Sequence, residues 1–147
     1  MKTLTVNKSC IFPADIDTVF SLLTDLSTLQ YIAKPYASFE PLNGKSDIKW
    51  QIGETISFKF RMFCLIPYGI HTIHVLKFSK DGIYTNENNT HVPTWNHFIE
   101  LKDNGDGTTF YRDEVEIGAG WKTVFVWLWA NCFYTHRQKK WLTLLHK

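Results

Sequence analysis

VPTWNHFIELKDNGDGTTFYRDEVEI, residues 92–117, alternates apolar and polar side chains on both sides of a short polar run. A period of two sends successive side chains to opposite faces of a strand, so each arm has one dry face and one wet face. Asp103-Asn104-Gly105-Asp106-Gly107 holds the residue types that turn a chain back on itself. The stretch therefore predicts two antiparallel strands, Val92–Lys102 and Thr108–Ile117, closed by that polar loop. With a symmetric loop, Lys102 faces Thr108, Ile99 faces Tyr111, His97 faces Asp113 and Trp95 faces Val115. These residues share the apolar face with Leu101 and Ile117. Asn96 opposite Glu114, Phe98 opposite Arg112 and Glu100 opposite Phe110 make the other face. A histidine and an aspartate thus oppose each other on the dry side, within bonding reach. A carboxylate beside an imidazole fixes its tautomer and favours protonation, while burial opposes it. Such a pair can anchor the polar end of a ligand, act as a general base, or satisfy itself as a structural pair.

Upstream, residues 3–12 read as a strand, and Pro13, Asp15 and Asp17 mark the entry to a helix. Ile16, Val19, Phe20 and Leu23 fall at helical spacing. A second short helix is expected over Leu26–Ile32, stopped by Pro35. From Ile52 the period is two, with Ile56, Phe58, Phe60 and Met62 on one face. Tyr68–Lys80 and Ile83–Asn89 are further strands around the turn Asp81-Gly82. Downstream, Gly118-Ala119-Gly120 ends the strand pattern, and Trp121 to Leu145 reads as one long helix. Its continuous stripe is Trp127, Ala130, Tyr134, Trp141 and Leu145, joined by Gln138. This order predicts an α+β domain spanning residues 1–147: a curved antiparallel sheet with the last helix across its dry face.

A chain of 147 residues can bury roughly two thirds of its unfolded surface without disulfides or a structural metal. Aromatic residues reach 16%, rings that fill cores but also line cavities for apolar ligands. A net charge of +2 is too small for the basic patch that nucleic acid requires. The most apolar run, Val124 to Tyr134, contains Asn131 and is too short to insert stably in a membrane. The opening Met1–Val6 lacks the apolar core of a secretory signal, and Cys10, Cys64 and Cys132 are widely spaced without a C-x-x-C pair. A cytoplasmic address with free thiols is expected. His71 and His74 lie three apart on a strand and point to opposite faces, so no metal site is expected there. Glu87 reads as an exposed residue that could reach the interior. No phosphate-binding glycine loop, G-x-S-x-G elbow or H-E-x-x-H helix is present, and no cofactor is expected.

Phe12-Pro13-Ala14-Asp15-Ile16-Asp17-Thr18-Val19-Phe20 with Leu23-Thr24-Asp25 resembles the opening of the START-like, or SRPBCC, superfamily, the Bet v 1 and polyketide-cyclase group. Trp95-x-His97, Gly107-Thr108-Thr109, Asp113-x-Val115 and Phe133-Tyr134-Thr135-His136-Arg137 are similar to its small bacterial, "cell division inhibitor-like" branch. The resemblance implies a helix-grip fold: a curved sheet wrapped round a long C-terminal helix, with two short helices closing the end. It also implies a cavity for lipids, steroids, polyketides or other apolar molecules, and in some members cyclase or dehydratase chemistry. Glu87 stands where that branch commonly has Gln.

Three functions follow from these readings. In the first, Phe58, Phe60, Trp95, Tyr111 and Tyr134 hold an apolar or amphipathic small molecule, oriented by His97 and Asp113. In the second, His97 is the base of a cyclase or dehydratase and Asp113 orients it. In the third, Phe125, Leu128, Trp129 and Phe133 form an apolar patch that pairs two copies of the chain.

Overall fold

The computed structural model describes residues 2–44 and 48–146. In chain order they form β1 (Leu4–Phe12), α1 (Ile16–Leu23), α2 (Leu26–Ala33), β2 (Ala37–Pro41), β3 (Thr55–Met62) and β4 (Ile66–Ser79). β5 (Gly82–Asn89), β6 (Val92–Asp103), β7 (Thr109–Gly118), a 3-10 turn (Gly120–Lys122) and α3 (Thr123–Leu145) complete the order. Seven strands make one antiparallel sheet in the order β1-β7-β6-β5-β4-β3-β2. β1 and β2 are neighbours in sequence yet lie on opposite edges, so α1 and α2 carry the chain across the sheet. β2 has no counterpart in the sequence reading, because five residues ending in Pro41 give too little alternation.

The sheet bends where strands carry an extra residue. Register shifts fall between Lys59 and Arg61, between Val75 and Lys77, and between Glu87 and Asn89. Such bulges bend a strand and increase its twist, and here they curve the sheet round α3. At the entry to α1, the Asp15 carboxylate accepts the Thr18 backbone N–H at 2.8 Å, capping the first turn. Gly120 has a φ of +60°, which lets the chain leave β7 and enter α3 where a side chain would strain the backbone.

The buried face of α3 comprises Ala130, Phe133, Tyr134, Arg137, Gln138 and Trp141. It is wider than the expected stripe because a curved sheet surrounds more of the helix than a flat one. Trp127 stands at its edge, half-buried, and donates its indole N–H to the Thr5 carbonyl at 2.9 Å. Two ring-rich clusters lie between sheet and helices. In one, Phe12 stacks on Tyr111 at 4.4 Å and on Trp141 at 5.2 Å. In the other, Phe58, Phe60, Trp95, Phe133 and Tyr134 pack with Phe39 and Ile73. Among the described residues, no helix is long and apolar enough to cross a membrane.

Candidate functional site

Alternation along β5, β6 and β7 turns Thr85 and Glu87, Trp95 and His97, and Tyr111 and Asp113 toward α3. The β6–β7 register differs by two residues from the symmetric-loop expectation. Asp103 pairs with Thr109, so the loop is Asn104–Thr108, and His97 lies opposite Val115 while Asp113 lies opposite Ile99. Thr108 belongs to the loop because Asp106 accepts its N–H at 3.0 Å and its carbonyl accepts the Asn104 N–H at 3.2 Å. A shift by two keeps every side chain on its face. His97 and Asp113 therefore meet diagonally, with Nε2 and Oδ1 2.7 Å apart.

That contact is one link in a buried polar chain. An ionised carboxylate can only accept, so His97 Nε2–H donates to Asp113. Asp113 Oδ1 also accepts the Tyr111 hydroxyl at 3.1 Å, and its Oδ2 accepts the Gln138 amide at 3.1 Å. The same Gln138 nitrogen reaches the Lys8 carbonyl at 2.8 Å, tying α3 to β1. On the other side of His97, Nδ1 lies 3.7 Å from Glu87 Oε2, a charge contact longer than a hydrogen bond. Glu87 Oε1 accepts from His71 Nε2 at 2.7 Å, and Oε2 accepts the Thr85 hydroxyl at 2.5 Å. Glu87 is thus buried, not exposed, and joins the two histidines.

Burial alone would raise the carboxylate pKa values. Together, the hydrogen bond and charge of His97, the charge of Arg137 and the Gln138 hydrogen bond outweigh it at Asp113, and the hydrogen bonds and charges of His71 and His97 together outweigh it at Glu87, holding both groups below the ordinary range. Burial would likewise depress His97, yet Asp113 and Glu87 overcome it and raise its pKa. The two carboxylates therefore favour the protonated form of His97. Burial pushes the Tyr111 and Tyr134 hydroxyls up, keeping them neutral donors. Tyr134 accepts the Trp95 indole N–H at 3.0 Å.

An interior cavity of ≈ 80 Å³ lies beside this chain, between the sheet, α2 and α3. Thr28, Leu29, Phe78, Ile83 and Phe133 line it together with His71, Glu87, His97 and Arg137. Of the residues expected to hold a ligand, Trp95, His97 and Tyr134 line this cavity. Phe58 is sealed behind Phe39 and Trp50, and Tyr111 stacks on Phe12, away from the void. Asp113, fully buried, stands behind His97 and touches no part of the void. Phe60 faces an outer groove of ≈ 250 Å³ lined also by Met62, Tyr68, Trp121, Phe125 and Trp129. Trp95 borders both spaces. Phe133 is buried, so it is not part of an external patch, and Trp129 is half-buried against Phe60 and Trp95.

Sequence reasoning did not assign His71 or Arg137 to the interior. Arg137 falls seven residues after Ala130 and three after Tyr134, which is the spacing of the buried stripe. Ile83, Thr85, Glu87 and Asn89 alternate inward, a signal hidden by their growing polarity. His71 and His74 do project to opposite faces: His74 Nδ1 bonds the Thr55 hydroxyl at 2.8 Å on the outer side.

A curved antiparallel sheet gripping a C-terminal helix, with two short helices after the first strand, is a helix-grip fold. Solved structures with this architecture match nearly the whole chain. A START superfamily protein from Mycobacterium smegmatis superposes with a TM-score of 0.71 at 12% identity, covering 97% of each chain. Protein CV1439 from Chromobacterium violaceum gives a TM-score of 0.74 at 14% identity, again over 97% of each chain. DynU16, a protein of the dynemicin biosynthetic locus, gives 0.63 at 13% identity over 97% of this chain and 47% of its own. No protein-family model matches the sequence, and no curated protein matches it either.

Proposed function

We propose that the protein binds one amphipathic small molecule, lipid-, steroid- or polyketide-like, between the curved sheet and α3. The observation that carries this reading is the interior cavity, where apolar and aromatic walls converge on Glu87, His97 and Arg137. Pockets for such ligands run to about 300–1,000 Å³. The inner cavity of ≈ 80 Å³ takes only one end of such a molecule. Trp95 separates it from the ≈ 250 Å³ groove, so the remainder extends outward past a displaced indole. DynU16's place in a biosynthetic locus is compatible with a polyketide-like occupant. The geometry favours binding over cyclase or dehydratase chemistry, because His97 presents one ring nitrogen to Asp113 and the other to Glu87. An imidazole with a carboxylate at each ring nitrogen has no free nitrogen to offer a substrate proton.

The test is native mass spectrometry of protein purified from its own host, followed by quenching of its six tryptophans with lipid, steroid and polyaromatic probes. A retained molecule and displaceable probe binding are expected. Neither one, across the whole panel, removes the reading. A second reading, pairing of two copies, rests on a narrower surface than the sequence suggested: Trp121, Val124, Phe125 and Leu128 are 82%, 53%, 66% and 52% exposed at the start of α3. Sedimentation equilibrium decides it, since a strict monomer at high concentration excludes the pair.

A further inference from the structure

Among the described residues, Arg137 is the one charged group at the cavity for which the fold supplies no hydrogen-bond acceptor. It is 5% exposed, and its Nε is buried without a partner. Its guanidinium lies over the rings of Tyr134 at 5.0 Å and Phe133 at 5.7 Å, which fix its plane but accept none of its in-plane donors. The two buried carboxylates nearby are already engaged. Asp113 is taken by His97, Tyr111 and Gln138, and Glu87 by His71 and Thr85. Four residues on, along the same helix face, the Trp141 indole N–H is also buried without an acceptor, and Trp141 lines the same cavity. Three groups on the cavity wall are unmatched, and the two on α3, Arg137 Nε–H and the Trp141 indole N–H, are obligatory donors, the third being His71 Nδ1 on the sheet. The α3 wall of the cavity thus offers donors, and what it lacks is an acceptor.

We infer that Arg137 is the seat of a carboxylate: the amphipathic ligand is a monocarboxylic acid whose head enters the inner cavity and whose apolar body extends toward Trp95. This rests on the binding reading above. A carboxylate matches the guanidinium fork with two parallel acceptors and keeps its charge when desolvated beside it. Glu87 and Asp113 argue against a dianion such as a phosphate monoester, because each added negative charge is repelled by both. His97, whose protonation these two carboxylates favour, lies against both of them. A single charge on a planar group is the head this wall tolerates.

Matched probes test it on the full chain: decanoate against decan-1-ol, and 2-naphthylacetate against 2-(2-naphthyl)ethanol, titrated at pH 7. The acid of each pair is expected to bind about tenfold tighter or better, the range of a charge-assisted bidentate contact. In Arg137→Gln that preference is expected to fall within about threefold, with alcohol binding retained, and Arg137→Lys is expected to keep part of it. A direct readout needs no variant. The sequence holds three arginines, Arg61, Arg112 and Arg137, so an arginine-labelled sample shows few side-chain N–H signals. Decanoate is expected to shift and protect one of them, leaving those of Arg61 and Arg112, paired to Glu40 and Glu100, in place. Equal binding of acid and alcohol, or an acid preference that survives Arg137→Gln, or an unmoved third signal at saturation, overturns the carboxylate seat while the binding reading stands. No binding of either member of both pairs, up to their solubility limits, overturns the binding reading itself.

Discussion

Two ring clusters built from the same residue types sit side by side under α3 and differ in what surrounds them. Around Phe12 and Tyr111, stacked planes and the aliphatic residues Val19 and Leu101 leave the rings with solid neighbours, while Trp141, Ile32 and Ile83 form the side that meets the cavity. Around Trp95, Phe60 and Trp129, the rings meet edge-on and border a cavity on one side and a groove on the other. Edge-to-face contacts fix ring positions without filling the space between them. The difference separates a filled region from an open one: one cluster holds the helix to the sheet, and the other keeps room open beside the polar chain of His71, Glu87, His97 and Asp113.

The sharpest way to break this contrast is to delete one ring from each side. Phe12→Ala is expected to cost about 4 kcal/mol, since a fully buried ring in a rigid stack leaves a hole that cannot collapse. Trp129→Ala, at a half-buried site facing the groove, is expected to cost about 2 kcal/mol despite removing a larger side chain. Urea denaturation of both variants measures the ratio. Equal losses would mean that the groove side is as rigid as the core.

The next effect comes from the polar chain. Asp113→Asn removes a charge whose oxygens accept from His97, Tyr111 and Gln138, and an amide cannot accept at both positions. Breaking a buried pair from one side leaves its partner uncompensated, and a loss of about 3 kcal/mol is expected at pH 7. If the variant melts like the parent, the chain is not a stabilising element.

Much of this contrast was open to the sequence, and the limits have physical causes. Alternation in Trp95, His97 and Ile99 against Tyr111, Asp113 and Val115 was enough to assign faces, because a face depends only on parity. The register was not fixed by parity: loop hydrogen bonds of Thr108 set it two residues away. The burial of Phe133 and Arg137 depends on how far the sheet wraps round α3, and that curvature comes from bulges at Lys59/Arg61, Val75/Lys77 and Glu87/Asn89 that no periodic pattern announces. Glu87 read as exposed, and His71 was missed, for a related reason. A buried carboxylate is legible only through its partners, and those lie on a different strand.

The pH dependence of stability sharpens the same division, because the titrating groups lie on the cavity side. Glu87 and Asp113 have folded pKa values below their ordinary 4.5 and 3.8, so their contribution is present above that range and is lost as pH falls through the folded values. His97 has a folded pKa above its ordinary 6.5, so its contribution is complete below that value and is lost as pH rises through the folded value. Stability is expected to peak between about pH 5 and 6.5, falling on each side by at most about 1.4 kcal/mol per pH unit for each proton. Urea midpoints from pH 3 to pH 9 trace the curve. In Asp113→Asn the alkaline fall is expected to flatten, because His97 loses the stronger of its two acceptors. A curve flat from pH 6 to pH 9 in the parent would show that His97 is not held cationic.

The smallest effect is expected at the outer rim of the groove. Phe125 is 66% exposed and touches Trp121 edge-on at 6.5 Å, so Phe125→Ser removes little buried surface. Its stability is expected to stay within about 0.5 kcal/mol of the parent, as for exposed positions in general. Two readouts then separate the possible uses of this ring. Loss of association in sedimentation, with probe binding unchanged, assigns Phe125 to a contact between two copies. Weaker binding of 2-naphthylacetate at unchanged mass assigns it to the outer end of the ligand path, because Phe125 shares the groove with Trp95 and Trp95 borders the inner cavity. A stability loss near that of Phe12→Ala would instead place the ring among the core residues and erase the distinction between the two clusters at this end of α3.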